Sequence, residues 1–176
     1  MPDPTSDPRT GTGARAEGQT GQDDHPQSTS ALSHDHLTAT AHAAEAAVLG
    51  AMLLDDDARQ GVPSMLTPDS FDREAHRTVY GAVLSVLADG VTPDPLTVTA
   101  KLAERGRLDE VGGSLGVSDL CGIDVCPVPA SWPAYATVVR REHRRRRGIV
   151  TLRRALERLE RGEDPAVVAS ELAVAV

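Results

Sequence analysis

Aromatic residues are scarce in this chain: Phe71, Tyr80, Trp132 and Tyr135 are all that 176 residues contain. The core must therefore come from Ala, Val and Leu, which favours closely packed helices over a sheet. Lysine is scarcer still. Lys101 is the only one, in a segment that reads as helix and lacks a glycine-rich loop. No G-x-x-x-x-G-K-[ST] motif occurs, so the cradle of backbone N–H groups and the lysine needed for P-loop ATP hydrolysis are both missing. H-E-x-x-H is absent as well. The two cysteines, Cys121 and Cys126, form a lone C-x4-C with no suitably spaced histidine, which excludes a zinc site and suits reduced thiols. The N-terminus is polar and acidic, and no apolar run reads as a membrane span. These absences predict a soluble cytoplasmic protein that is not an enzyme, with no catalytic residue, metal or cofactor.

Charge is present but unevenly placed. The formal net charge is −8, yet residues 140–161 carry ten of the eighteen basic side chains against Glu142, Glu157 and Glu160. That segment is net +7 and the remainder −15. Such polarity keeps an acidic and a basic surface apart, or pairs them with another molecule.

The pattern divides the chain into a tail at 1–38, a helical head at 39–130 and a helical hairpin at 131–176. The tail is rich in Pro, Gly, Ser, Thr and Asp, with almost nothing apolar before Leu32, so it cannot offset the entropy of ordering and reads as disordered. Ala44, Ala47, Val48, Ala51 and Leu54 then share one face of a helix that Asp55–Asp57 ends at a solvated turn. A short segment through Val62, Met65 and Leu66 follows, limited by Gly61 and Pro63. The stretch Asp72–Gly90 is apolar over more than half its girth, leaving Arg77, Thr78, Gly81, Ser85 and Asp89 as a polar window. It is predicted to be the central helix. His76, at the edge of its apolar arc, reads as a packed, hydrogen-bonded residue. Asp94-Pro95 starts the next helix, carried by Leu96, Ala100, Leu102 and Ala103. A weak helix through Leu115, Val117, Leu120 and Ile123 leads to a rigid Pro-rich connector.

From Ser131 to Arg161 a long helix is expected, stopped by Gly162, with Asp164-Pro165 capping a last helix over 166–176. Tyr135, Val138, Ile149, Leu152, Leu156 and Leu159 occupy a and d positions of one heptad frame, broken in the middle by Glu142 and Arg145. That seam can hold the hairpin to its own head or pair with another chain.

Three blocks resemble one family. EAAVLGAMLLD at Glu45–Asp55, LTPDSFDREAHRTVYGAVLSVLADG at Leu66–Gly90 and LTVTAKLAERGRLDEVGG at Leu96–Gly113 are similar to the N-terminal domain of the DnaB replicative helicases. The Pro-rich connector and Tyr135-Ala136 fit as a fourth block, and the resemblance extends over about residues 42–174. It implies an all-α fold, a small globular head followed by a helical hairpin. It also implies a non-motor role, in which such domains form the collar of the helicase and help to recruit primase and helicase loader. The expected partners are a second copy, the replicative helicase, primase or the loader, and the expected interface is Val138, Ile149, Leu152, Leu156 and Leu159. The chain departs from the family pattern at Glu74, where relatives carry proline, and at Arg144, Arg145 and Gly148, which replace apolar or better helix-forming residues along the seam. An alternative function is contact with nucleic-acid phosphates through the 140–161 helix, Arg144, Arg145, Arg146 and Arg147 being the candidates. A further alternative is a truncated helicase remnant with no present role.

Overall fold

A computed structural model describes residues 27–175, with side chains from 37 to 173. Among the described residues there are seven α-helices and no strand: α1 (Gln27–Leu54), α2 (Asp56–Met65), α3 (Glu74–Ala88), α4 (Pro95–Glu104), α5 (Gly113–Asp119), α6 (Trp132–Glu160) and α7 (Pro165–Ala175). Single 3-10 turns at Pro68–Ser70, Asp109–Val111 and Pro129–Ser131 join them. The all-α head and hairpin expected from the sequence are both present.

Two starts differ from expectation. Residues 1–26 of the expected tail lie outside the described residues, but α1 begins at Gln27, well before residue 39. Neither Pro nor Gly occurs between 27 and 49, so nothing interrupts the helix once it has begun. Asp55 is not part of a solvated turn. It is the N-cap of α2, its Oδ1 accepting from the Ala58 N–H at 2.9 Å, so α2 follows α1 directly.

The centre of the head is shared by two helices. In α1, the run Ala44–Leu53 is buried at every position except the half-buried Ala46, and it contacts α2, α3 and α6. Leu37–Leu54 is apolar and long enough to cross a membrane, with mean hydropathy 1.4, against the sequence reading; 56 % of it is buried inside the fold, as a core helix requires. α3 packs between α1 and α4 and buries Val79, Tyr80, Ala82, Val83 and Val86. Thr78, assigned to the polar window, is buried, since α3 is covered on a wider arc than its apolar residues alone indicate. Phe71 lies 4.7 Å from the Tyr80 ring, and the Tyr80 hydroxyl donates to the Leu66 carbonyl at 2.9 Å. Burial pushes the Tyr80 phenol up to about 12.

The head's edge leaves some apolar side chains in solvent. Leu96, Leu115 and Ile123 are exposed, and the faces that pack are Val98 with Leu102 and Val117 with Leu120. The Asp94 cap is confirmed: its Oδ1 accepts from the Thr97 N–H at 2.7 Å, and the Thr97 hydroxyl accepts from the Asp94 N–H at 2.9 Å.

Candidate interaction site

α6 is one helix with different surroundings along its length. Its first half is docked on the head, burying Ala136, Val139 and Glu142. Its second half runs beside α7. Gly162 makes the return turn with φ +84°, a conformation that disfavours any residue with a Cβ, and its N–H donates to the Leu159 carbonyl at 2.9 Å. Asp164 Oδ1 accepts from the Ala166 N–H at 2.8 Å to start α7. Across the hairpin Ala155 and Val168 are buried, and Arg158 donates to both Glu163 and Glu171.

The stripe of α6 that meets α7 is Thr151, Ala155 and Arg158, at i, i+4 and i+7, with Arg154 beside it. The leucines follow the same spacing one residue later, so they are turned by about 100° onto a different face. Leu152, Leu156 and Leu159 are 60, 56 and 40 % exposed. Neither the head nor α7 covers them. The expected seam therefore divides in two. Tyr135 and Val138 are packed against the core of the head, Ile149 borders a cleft beside α1, and the three leucines face outward.

That cleft, of about 390 Å³, is lined by residues of α1 and α6 together with Asp72. A network of charges closes its head side. Glu45, fully buried on α1, accepts from the Asp72 N–H at 2.7 Å and from His76 Nδ1 at 2.8 Å. His42 Nε2 donates to Asp72 Oδ2 at 2.8 Å, and Arg146 Nε lies 3.4 Å from Asp72 Oδ1. The His42 hydrogen bond, followed by the Arg146 charge, holds the Asp72 carboxyl below its usual 3.8. His76 is thus the packed, hydrogen-bonded residue expected of it.

The four arginines proposed from sequence as nucleic-acid contacts separate here. Arg146 Nη2 donates to the Ser70 carbonyl at 2.7 Å, and Arg145 Nε donates to Glu142 at 2.8 and 2.9 Å, so both are engaged within the fold. Arg144 and Arg147 are exposed. Gly112-Gly113-Ser114-Leu115-Gly116 spells G-x-S-x-G, the pattern of a hydrolase nucleophile elbow. A nucleophile elbow needs a strand leading into the helix, whereas a 3-10 turn precedes α5 and Ser114 is exposed. No group of three or more His, Cys, Asp or Glu among the described residues could hold a metal.

A family model described as the DnaB-like helicase N terminal domain matches residues 38–141, the head and the first third of α6. The chain belongs to that family. It is 40 % identical over 108 residues to the replicative DNA helicase DnaB of Geobacillus stearothermophilus, covering 61 % of this chain and 23 % of that one. It is 40 % identical over 97 residues to DnaB of Mycobacterium leprae, covering 55 % and 16 %. The chain thus spans at most about a quarter of these relatives' lengths. The crystal structure of the N-terminal domain of DnaB helicase from Mycobacterium tuberculosis superposes with a TM-score of 0.69 at 34 % identity, covering 76 % of this chain and 94 % of that one. These matches fall on the helicase's N-terminal domain, with no ATPase portion matched. The family model ends at residue 141, within α6, while the Mycobacterium tuberculosis domain covers a larger share of this chain than the family model does.

Proposed function

We propose that this DnaB N-terminal-type domain is a non-catalytic interaction module of DNA replication that associates through the outer face of its hairpin. The observation that carries the reading is the leucine row. Leu152, Leu156 and Leu159 stay exposed on a face that neither the head nor α7 uses, while Ala155 and Val168 close the hairpin. Burying one leucine against a partner is worth roughly 1.5–3 kcal/mol, so three in register provide a specific contact for another amphipathic helix. Ile149 extends the row toward the head. Val138 serves the head instead. The partner is a second copy, the replicative helicase, primase or the helicase loader, met in the cytoplasm where the chromosome is copied. No catalytic residue enters the reading.

The test is light-scattering mass of the whole chain, alone and mixed with the host's helicase, primase and loader. A dimer or a mixed complex that disappears with Leu152→Asp supports the reading. A strict monomer that ignores all three partners overturns it.

A further inference from the structure

The basic side chains of α6 fall into two sets. Arg145, Arg146, Arg158 and, just past the helix end, Arg161 each have a carboxylate partner. Among the described residues, Arg140, Arg141, Arg144, Arg147, Arg153 and Arg154 form no ion pair. Glu157 stands three positions after Arg154 on the same helix, yet leaves it unneutralised. Arg140, Arg144 and Arg147 recur at i, i+4 and i+7, with Arg141 beside them, and so lie along one stripe of the helix, whereas Arg154, further along it, lines the recess against α7 together with Glu171. At 1.5 Å per residue the stripe is about 10 Å long. Like charges at this spacing repel each other, and among the described residues no ion pair with a carboxylate offsets it. At the N-terminal end of the stripe, Thr137, Arg140, Arg141 and Arg144 line a recess of about 330 Å³ with no carboxylate in its wall. Arg140 Nε is buried without a hydrogen-bond partner.

We propose that this stripe binds the phosphate backbone of a nucleic acid without reading its bases. A straight row of unpaired guanidiniums suits a polymer of regularly spaced phosphates better than an isolated acid, and Arg pairs with phosphate through two parallel N–H···O bonds. No aromatic residue follows Tyr135, so the surface offers no platform on which bases stack. Contact is through charge and geometry alone. The stripe and the leucine row occupy different faces of α6, so this inference stands apart from the hairpin contact above.

The test is binding of the full chain to a short fluorescent duplex and to a single strand of the same sequence. Four phosphate contacts predict that log affinity for the duplex falls with log salt at a slope of about −3.6. Between about 50 and 200 mM salt that is a loss on the order of a hundredfold, with no dependence on base sequence. Arg144→Gln together with Arg147→Gln, both at exposed positions, reduces the magnitude of the slope by about 2. Arg105→Gln, the loss of a single charge on the head, leaves it unaltered. Absence of binding to either nucleic acid, or a slope indifferent to the double substitution, overturns the proposal. So does a double variant that binds nucleic acid normally but loses polyglutamate binding or self-association. That last result assigns the stripe to an acidic protein.

Discussion

His76 on α3 donates through Nδ1 to Glu45 on α1 at 2.8 Å, across thirty-one positions of sequence. The same carboxylate accepts the Asp72 N–H at 2.7 Å and the Arg73 N–H at 3.4 Å, immediately before α3 begins. Arg73, the N-cap of α3, makes no side-chain cap bond of its own, so a residue from another helix satisfies the backbone donors there. One buried acid joins the two central helices of the head.

Replacing Glu45 by Ala leaves His76 and two backbone N–H groups without their acceptor in a dry interior. Losing one partner of a buried, hydrogen-bonded charge costs roughly 3–5 kcal/mol, and Glu45→Ala is expected in that range by urea denaturation. Glu45→Gln keeps an acceptor oxygen and loses less. Equal losses for the two would mean that packing volume, and not the acceptor, matters at this position.

Asp72 sets a dependence on acid. Its carboxyl is held below 3.8 in the folded state, chiefly by the His42 hydrogen bond and then by the Arg146 charge. The unfolded chain therefore takes up the proton first as pH falls, and stability declines in that direction. The Asp72 contribution is complete above its unfolded value of about 4 and is lost as pH drops through the lower folded value. Urea midpoints measured downward from about pH 6 should fall less steeply for Asp72→Asn than for the parent chain. Parallel profiles would remove Asp72 from the account.

Gly50 is required by a close approach of backbone to backbone. A Cβ on it would stand 2.1 Å from the Leu120 carbonyl oxygen and 2.9 Å from Cys126 Cβ. Neither α1 nor the end of α5 can give way without disturbing the core around Leu49 and Val117. Gly50→Ala is expected to cost about 3 kcal/mol or more, the upper range for overpacking, seen as a lower denaturation midpoint at unchanged slope. A neutral or stabilising result, as for an ordinary helical Gly→Ala change, would show that the two segments separate freely.

The two apolar faces of the hairpin predict opposite phenotypes. Val168 is buried against α6, so Val168→Ala should weaken the hairpin by about 2 kcal/mol and increase amide exchange in α7. Leu156 is exposed, so Leu156→Asn should change stability by less than about 0.5 kcal/mol. Its effect should appear instead as loss of association in the mass measurement. Instability from the Leu156 change would place that side chain inside the monomer's own packing.

Helix boundaries were legible in sequence wherever a local interaction creates them. Asp94-Pro95, Asp164-Pro165 and Gly162 act through their own backbone and its nearest neighbours, and the structure has each in its expected role. The start of α1 was less legible, because a polar composition suggests disorder even where no breaker stops a helix. Leu96, Leu115 and Ile123 marked helical segments in the sequence, yet all three are exposed. Whether a leucine is buried depends on which other helix lies over it, and composition does not contain that information.

The same division separates what each level decided about this protein. By itself the sequence determined an all-helical chain, the order of its caps and stops, a basic segment in an acidic molecule and the family to which it belongs. All of these follow from interactions within a few residues or from residue identity in order. Only the tertiary structure decided how the surface of α6 is apportioned. It drew Arg145 and Arg146 into the fold, left Arg144 and Arg147 outside and used Ala155 rather than the leucines to close the hairpin. A helix of regular period presents every face equally well, and its neighbours in space determine which faces remain for a partner.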